Sequence, residues 1–322
     1  MSDATSPPIK VAAVIPTLGK SPHLEACLLA LRTQDEPVEI IVVDQGERPA
    51  DLPPGLADKV LRPGRNLGFA AGTNLGIAAT SAPYLATVND DAIVQPGWLA
   101  ALLDALEGDP KLAAAQGANL SLDRPENLDG LGIAWNRRWQ AVQIGAGEKA
   151  PGGEEPSRPI FGVSATAALY RRSALEAARL APGEFFDSAL GSYYEDVELA
   201  VRLVAKGFRA IAIPAARALH AGSTTGGAAR WRLVYGNRHL VLARMLGRGY
   251  WWRLPAFVGR DLIDLARAVA KGDRVRMAGI FAGWGRAARL LARLLARFAR
   301  GGSASGPPSC PPPQGGRDPS AG

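Results

Sequence analysis

Short apolar runs alternate with amphipathic stretches through the first two thirds of the chain. Residues 11–15, 40–43 and 84–88 are almost wholly apolar, which predicts strands buried on both faces of a sheet. Between these runs, leucines spaced three or four residues apart after Ser21 and small residues at 70–79 predict helices, with Ser21 as the N-cap of the first. Buried strands that alternate with helices indicate an α/β fold, with a mainly parallel central sheet covered by helices on both faces.

The pattern changes twice toward the C-terminus. Residues 117–158 are rich in Gly, Pro and Asn, which predicts loops and short strands. After residue 227 the pattern is helical and basic, and residues 301–322 are rich in Gly, Pro and Ser. We therefore predict an α/β domain over 9–228, a basic helical region over 229–300 and a disordered tail over 301–322.

Composition narrows the class of protein. The chain has 322 residues, of which 47% are hydrophobic and 21% charged, as expected for a globular protein with a sizeable core. Two cysteines, Cys27 and Cys310, are too few for a disulfide framework or a cysteine zinc site. The first eight residues match neither a signal nor a transit peptide, and no uncharged apolar run is long enough to span a bilayer. We therefore expect a cytoplasmic protein.

Positive charge is concentrated near the C-terminus. Residues 230–300 contain sixteen Lys or Arg against three Asp, a net charge of +13, which leaves −6 for the rest of a chain whose total is +7. Such asymmetry indicates an anionic partner. Aromatic-interleaved nucleic-acid motifs are absent, so we expect lipid head groups and no nucleic acid. Arginines and leucines occupy opposite faces over 284–300, which predicts a helix at the inner membrane face. The alternative is that these leucines pack on the protein's own core or on a second subunit.

One acidic cluster, Asn89-Asp90-Asp91, directly follows an apolar strand. Ligands of open α/β sheets bind at the carboxyl ends of the strands. Hard divalent cations bind carboxylate oxygens, often together with substrate phosphates, which makes Asp91 the candidate metal ligand. The plainer alternative is an exposed turn.

A second acidic pair, Glu195 and Asp196, begins an amphipathic helix after two tyrosines. Carboxylates are electrostatically favoured in a first helical turn, so helix capping is the simple interpretation. If this pair meets the first cluster in one cleft, a metal site and a general base lie side by side. Asp196 is then the candidate base, and the adjacent Glu195 would favour a raised pKa of that carboxylate.

Three weaker signals remain open. Asp44 ends a strand, where acidic residues of dinucleotide-binding folds bind a ribose hydroxyl, yet no Gly-rich turn follows the first strand, so a dehydrogenase is disfavoured and a turn role is possible. The glycine-rich segment 65–76 suits either nucleotide binding or helix–sheet packing. His220, which follows a strand predicted at 208–213, suits either a structural role or contact with a metal or diphosphate.

Taken in order, these motifs resemble the family-2 inverting glycosyltransferases of the GT-A fold, most closely their rhamnosyltransferase-like bacterial branch. The resemblance covers about residues 9–240. It rests on Val14-Ile15-Pro16-Thr17, Val42-Val43-Asp44, Asn66-Leu67-Gly68-Phe69 with Asn74 and Gly76, Asn89-Asp90-Asp91, and Tyr194-Glu195-Asp196-Val197-Glu198-Leu199. It implies a Rossmann-like GT-A fold with a nucleotide-sugar half over 9–116 and an acceptor half over 117–228.

The resemblance also implies roles for individual residues. Asp196, next to Glu195, deprotonates the acceptor hydroxyl, and Asp91 closes a "DxD" motif that holds Mg²⁺ or Mn²⁺, with His220 as a second contact. The implied donor-binding residues are Pro16, Thr17, Asp44, Asn66, Gly68, Asn74, Asn89 and Asp90. The chain departs from the pattern at Asn89, where aspartate is common. Aromatic residues of the irregular region, namely Trp135, Trp139, Tyr193 and Tyr194, are expected to form the acceptor wall.

The implied reaction moves a sugar, with rhamnose as a candidate, from a nucleotide-diphosphate donor to a hydroxyl of a glycan or lipid-linked acceptor, with inversion. Two alternatives stay open. One is a non-catalytic nucleotide-sugar-binding relative in which Asn89 marks lost chemistry. The other is a sugar-1-phosphate nucleotidyltransferase, which would carry a Gly-rich, Arg/Lys-containing loop after the first strand, and 16–19 has none.

Overall fold

The computed structural model describes residues 9–222 and 227–299, so the tail predicted at 301–322 lies outside the described residues. In chain order the elements are β1 (Val11–Thr17), α1 (Leu24–Arg32), β2 (Val38–Asp44), β3 (Lys59–Leu61), α2 (Phe69–Ala78), β4 (Tyr84–Val88), β5 (Ala92–Val94), α3 (Trp98–Gly108), β6 (Leu112–Ser121), β7 (Leu128–Gly130), β8 (Ile133–Trp135), β9 (Ala141–Gln143), β10 (Arg158–Ile160), β11 (Ala167–Arg171), α4 (Arg172–Ala178), α5 (Glu195–Ala205), β12 (Arg209–His220), α6 (Ala228–Leu246), α7 (Arg248–Ala270) and α8 (Arg274–Ala299).

One ten-stranded sheet organises the α/β part. Eight strands follow the order β10-β12-β6-β11-β4-β1-β2-β3, and β5 pairs with β12 and β7 with β6. The strands β4, β1, β2 and β3 are mutually parallel, as their continuous apolar runs predict. Beyond β4 the sheet is mixed, because β11 runs antiparallel to both β4 and β6 whereas β12 is parallel to β6. The predicted α/β fold is confirmed, and its continuous parallel part comes from the N-terminal strands β1 to β4.

Apolar clusters cover both faces of this sheet. On one face α2 packs closely on β1, where a Cβ at Gly76 would lie 2.3 Å from Val14 Cγ1. Only glycine fits this contact, so part of the glycine-rich segment serves helix–sheet packing. Ser21 is not the N-cap of α1, because the helix begins at Leu24 after His23. The Ser21 hydroxyl instead donates to the Asp90 carbonyl at 2.9 Å.

The basic C-terminal segment forms three helices that share an apolar cluster with the α/β part. The leucine face of α8 contributes to this cluster: Leu290 is buried, and Leu291 and Leu294 pack against it. Of the two interpretations of that face, the structure therefore supports packing on the protein's own core. Within the described residues, none of the helices combines the length and the apolarity that crossing a bilayer requires.

Acidic side chains of α7 are used inside this helical unit. Asp261 is fully buried and accepts hydrogen bonds from Arg238 and from Trp284 Nε1, the latter at 3.1 Å. Asp264 is also buried and accepts a bond of 3.2 Å from Tyr235 Oη. These buried carboxylates are therefore paired with side chains of the helical unit, and Asp264 also lies 3.1 Å from Arg260 and 3.7 Å from Arg267.

Candidate active site

A cleft of about 1000 Å³ opens where β1 and β4 end, next to the start of α5 and the end of β12. It is the position at which open α/β sheets bind ligands. Ten of the twelve predicted site residues line it: Pro16, Thr17, Asn66, Gly68, Asn89, Asp90, Asp91, Glu195, Asp196 and His220. Asp44 and Asn74 are not in its lining. Five separate chain segments thus bring the predicted residues together.

Strand pairing places His220 beside Asp91. The short strand β5 follows Asp91 and pairs antiparallel with the end of β12, with Ala92 opposite His220. His220 Nε2 lies 3.3 Å from Asp91 Oδ1, and both residues are buried. The strand predicted to stop at residue 213 continues to His220, so the histidine is held by the sheet itself.

Asp129 is a third member of this group that the sequence did not reveal. It lies on β7, and its Oδ2 is 2.9 Å from His220 Nδ1. Although burial disfavours the charged imidazole, the hydrogen bond with Asp129 and the negative charges of Asp91 and Asp129 raise the pKa of His220 to about 9. A carboxylate on one ring nitrogen is the usual way in which proteins orient a metal-binding histidine.

The donor set fits a divalent cation that shares its coordination with a diphosphate. Asp91 supplies oxygen, and buried His220 Nε2, which has no hydrogen-bond partner, supplies nitrogen once it releases its proton, as binding of a cation to histidine requires. Among the described residues there is no group of three or more His, Cys, Asp or Glu that could hold an ion. An ion here would therefore take further ligands from donor phosphates and water, as Mg²⁺ commonly does.

The start of α5 carries unusual backbone conformations. Tyr193 and Tyr194 both have positive φ, at 66° and 71°, which non-glycine residues rarely adopt. The Asp196 carboxylate accepts a hydrogen bond from its own neighbour Val197 N at 2.7 Å and a longer one from Ala165 N at 3.4 Å. These contacts fix Asp196 in the cleft wall at the first turn of the helix.

Burial raises the pKa of both adjacent carboxylates, Asp196 and Glu195. Desolvation raises the pKa of Asp196 to about 6, with backbone hydrogen bonds from Val197 and Ala165 opposing the rise. Desolvation and the Asp196 charge raise the pKa of Glu195 well above its usual range, and Glu195 Oε2 is buried without a hydrogen-bond partner. Burial and the adjacent charge thus favour the neutral form of Glu195.

Two residues of the C-terminal helices hold residues 187–194, the loop that precedes Glu195 and Asp196 and that we call the α5 loop. Asn237 Nδ2 lies within hydrogen-bonding distance of the carbonyls of Leu190, Ser192 and Tyr193, at 3.0, 3.0 and 2.7 Å. Arg286 donates to the Asn237 side-chain oxygen at 2.7 Å and also to the carbonyls of residues 189 and 190. Both residues lie far along the chain, so no local pattern indicates them. They restrain the segment that carries the strained tyrosines.

The opposite side of this loop rests on the donor motif. Ala70 N donates to Gly191 O at 2.8 Å, and Phe69 N donates to Ser192 Oγ at 3.3 Å. Gly68 has φ +83°, and a Cβ there would lie 3.1 Å from Gly191 Cα. The loop is therefore packed between the start of α2 and the C-terminal helices.

We expect Asn237→Ala to lower kcat about tenfold to hundredfold, because small displacements of a reacting group are costly. The KM for the donor should change less than kcat. Partial recovery of kcat in Arg286→Lys compared with Arg286→Ala would show that the retained hydrogen bond matters. Arg289→Ala, an exposed change on α8, is the matched control. Wild-type kcat in Asn237→Ala would remove the loop from the reaction.

Asn74 has a different role from the predicted one. Its Nδ2 donates to Phe186 O at 2.7 Å and lies 3.4 Å from Ser188 Oγ. Its Oδ1 accepts from the backbone amides of Phe185 and Phe186 at 3.1 and 2.9 Å. Phe185, Phe186 and Ser188 thus occupy all the hydrogen-bonding positions of the Asn74 amide, which leaves none for a donor molecule.

Asp44 lies just behind the cleft. Its carboxylate accepts from the amides of Gly46 and Ala50 and pairs with Arg62 Nε at 3.2 Å. The turn role is thus observed, whereas contact with a nucleotide stays a prediction. The next residue, Gln45, lines the cleft and accepts a hydrogen bond from Leu67 N at 2.8 Å.

The aromatic residues expected on the acceptor side divide into two groups. Tyr193 and Tyr194 line the cleft. Trp135 is buried against Phe161, and Trp139 packs on Phe257 of α7, so neither tryptophan reaches the cleft. The lining also contains residues that the sequence did not indicate, including the basic Lys20 and Arg230 and the aromatic Trp231.

Comparisons with known proteins agree with this geometry. The sequence profile of Glycosyl transferase family 2 matches residues 12–178, which is more than half of the 322 residues. The chain belongs to glycosyltransferase family 2. It is therefore a glycosyltransferase, as the order of motifs implied.

A characterised relative and a solved structure extend the comparison. This family-2 chain is 28% identical over 276 residues to the N-acetylglucosaminyl-diphospho-decaprenol L-rhamnosyltransferase of Mycobacterium tuberculosis, covering 74% of this chain and 85% of the relative. A structure of GalNAc-T7 with UDP, GalNAc and Mn²⁺ superposes with a TM-score of 0.52 at 14% identity. That match covers 73% of this chain and 50% of the other, and it supports the GT-A fold.

Proposed function

We propose that this glycosyltransferase moves a sugar from a nucleotide-diphosphate donor to an acceptor hydroxyl, with inversion at the anomeric carbon. One observation carries the proposal: Asp196 and the Asp91–His220 pair line the same cleft although they come from three separate segments. A general base and a site for a diphosphate-bound cation are what a single displacement at the anomeric carbon requires.

Asp196 accepts the proton of the acceptor hydroxyl. Its pKa, raised by burial to about 6, keeps it ionised at neutral pH while making it a stronger base than an exposed aspartate. Burial and the Asp196 charge raise the pKa of Glu195 well above its usual range, which favours its neutral form and disfavours a second charge in the cleft. The tyrosines beside the pair offer flat surfaces suited to a sugar ring.

Asp91 and His220 hold the divalent cation, Mg²⁺ or Mn²⁺, with Asp129 orienting the histidine. When bound, this cation offsets the negative charge that develops on the departing nucleoside diphosphate. GalNAc-T7, whose fold is similar, was solved with Mn²⁺, which supports such a cofactor. Lys20 and Arg230 in the cleft lining provide additional positive charge toward phosphates.

The donor and acceptor are proposed from the relative. The matched mycobacterial enzyme is named for transferring L-rhamnose to a sugar on a decaprenyl diphosphate. We infer that a nucleotide-activated deoxyhexose such as L-rhamnose is the donor sugar. We infer further that the acceptor is a lipid-linked glycan in bacterial polysaccharide synthesis.

A donor panel tests this proposal. Purified protein is incubated with nucleotide-activated rhamnose, glucose, galactose and N-acetylglucosamine, with Mn²⁺ and a short-chain prenyl-diphosphate sugar. We expect nucleoside diphosphate release that depends on the acceptor and is fastest with the rhamnosyl donor. Asp196→Asn serves as the inactive control. Release with none of the donors would contradict the proposed reaction.

Neither a non-catalytic nucleotide-sugar-binding relative nor a sugar-1-phosphate nucleotidyltransferase is favoured. The family assignment is to sugar-transferring enzymes, and the cleft retains both the candidate base and the candidate cation ligands despite Asn89. A nucleotidyltransferase loop is missing after β1, where Gly19 N instead donates to Thr17 Oγ1 at 2.8 Å. Thr17 Oγ1 in turn donates to Asp90 Oδ2 at 2.6 Å, which ties this turn to the acidic cluster.

A further inference from the structure

The outer side of α7 is an exposed apolar surface. Of thirteen large hydrophobic residues that are exposed among the described residues, eight lie on α7 or α8. Trp252 is 87% exposed and Trp251 is 44% exposed. We define the lipid face as the five such residues of α7: Trp251, Trp252, Leu262, Ile263 and Val269. This concentration needs a partner, because soluble surfaces rarely expose adjacent tryptophans.

The lipid face is one continuous stripe of the helix. Consecutive members are one, ten, one and six residues apart, spacings that at 100° per residue confine them to about 120° of the helix circumference. Positions 255, 256, 266 and 270, which lie between them on the same side, are Pro or Ala and are also exposed. The opposite side is buried through Tyr250, Phe257 and Ala268. The helix therefore packs with one side and leaves an apolar stripe on the other.

Exposed charge around this stripe is entirely positive. In residues 228–296 every exposed charged side chain is basic: Arg230, Arg232, Arg248, Arg253, Arg267, Lys271, Arg274, Arg289 and Arg293. The acids of the same segment are Asp261 and Asp264, which are buried, and Asp273, which is half-buried. An apolar stripe bordered by cations, with tryptophans at one end, is typical of helices that lie in a bilayer interface.

We propose that the lipid face of α7 inserts into the interfacial region of an anionic phospholipid bilayer. Phosphate head groups would meet the surrounding arginines, and the tryptophan rings would lie at head-group depth. The proposal rests on the proposed function in one respect, since a lipid-linked acceptor is found in such a surface. It differs from the sequence-based expectation, which took α8 as the membrane contact, because Leu290, Leu291 and Leu294 of α8 pack in the protein core.

Other occupants fit less well. A second copy of the chain would bring two uniformly cationic surfaces together. Residues 301–322 contain no Leu, Ile, Val, Met or aromatic residue, so the tail lacks the side chains to cover the stripe. Anionic lipid satisfies both the apolar and the charged part of the surface.

Contacts at both ends of α7 lead to the cleft. Near its start, Phe257 and Arg253 contact Trp139, which lies in the turn between β8 and the cleft-lining strand β9. Just beyond its end, the Arg276 guanidinium lies 4.6 Å from the ring centroid of Trp231, another cleft residue. A membrane under α7 would therefore adjoin the elements that form the acceptor side of the cleft.

Vesicle co-sedimentation of the full chain tests the proposal. The vesicles contain phosphatidylcholine alone or equal parts of phosphatidylglycerol and phosphatidylcholine, without donor or acceptor. We expect binding to the anionic vesicles, and the Trp251→Ser/Trp252→Ser variant should require at least about tenfold more lipid for half-binding. Leu29→Ser/Leu180→Ser, at exposed positions outside the C-terminal helices, is the matched control and should bind like wild type.

Three results would overturn the proposal. The first is equal binding of the tryptophan variant and the wild type to anionic vesicles. The second is loss of binding in Arg289→Glu/Arg293→Glu but not in the tryptophan variant. The third is a change of the tryptophan variant from dimer to monomer without a change in lipid binding. Because the vesicles carry no substrate, these results are independent of sugar transfer. A failed donor panel with intact vesicle binding would contradict the proposed function alone.

Discussion

Replacing Asp196 with asparagine should lower kcat for sugar transfer by about 10²–10⁴-fold, the range that a general base commonly contributes. The substitution keeps the size of the side chain and removes only the ability to accept the acceptor's proton. Donor binding, measured by calorimetry, should stay close to wild type, because Asp91 and His220 are untouched. An Asp196→Asn enzyme with wild-type turnover would disprove this assignment of the base.

The neighbouring carboxylate provides a matched control. Glu195 is expected to be neutral at working pH, because burial and the Asp196 charge raise its pKa well above the usual range. Glu195→Gln mimics that neutral form and should keep most of the activity. In the wild type, kcat should fall as pH is lowered through about 6, since protonation of Asp196 removes the base. A profile that is flat through this range would place the titrating base elsewhere.

Asp91→Asn should abolish cation-dependent donor binding, the second large effect that we expect. The change removes the negative charge that a divalent cation requires while preserving side-chain volume. Titration of Mn²⁺ in the presence of a nucleoside diphosphate should show that Asp91→Asn lowers Mn²⁺ affinity far more than Asp129→Asn does. For Asp129→Asn we expect a loss of roughly 10–100-fold, because Asp129 only orients His220. Transfer by the wild type should also stop on addition of a chelator.

Asn89 supplies the control for the same motif. Asn89→Asp introduces the carboxylate that is common at this position in the family, and we expect it to retain cation binding and turnover. Asp91→Asn thus removes one negative charge from the cleft, whereas Asn89→Asp adds one at a nearby position. Full turnover of the wild type after chelation would remove the cation from the reaction.

The predicted site residues whose position in the cleft follows from local patterns lie at strand and helix ends. Asp91 follows a wholly apolar strand and Asp196 stands in the first turn of an amphipathic helix, so local patterns place both at the edge of a sheet. The family resemblance implies a donor-binding role for Asn74, which belongs to the same motif as Asn66 and Gly68. The pattern could not show that its amide is consumed by the backbone of residues 185–186.

Long-range contacts are invisible to the same reasoning. Asp129 on β7 and Asn237 on α6 act on residues more than forty positions away, and nothing in their own neighbourhoods distinguishes them. The C-terminal helices illustrate a second limit. Amphipathicity predicts that one face of α8 is covered, yet it cannot distinguish coverage by protein from coverage by lipid. The answer depends on how α6 and α8 pack, and that packing places Leu290 inside.

The restraint of the 187–194 loop by Asn237 and Arg286 has a practical consequence for anyone dividing this protein into parts. The family profile ends at residue 178, before the candidate base, and a fragment cut after β12 would lack both restraining residues. Such a fragment would also expose the apolar side of α5 that α6 covers. The smallest unit worth expressing, grafting or exchanging between relatives therefore extends through α8, and chimeras joined near residue 227 should exchange the loop and the helices together.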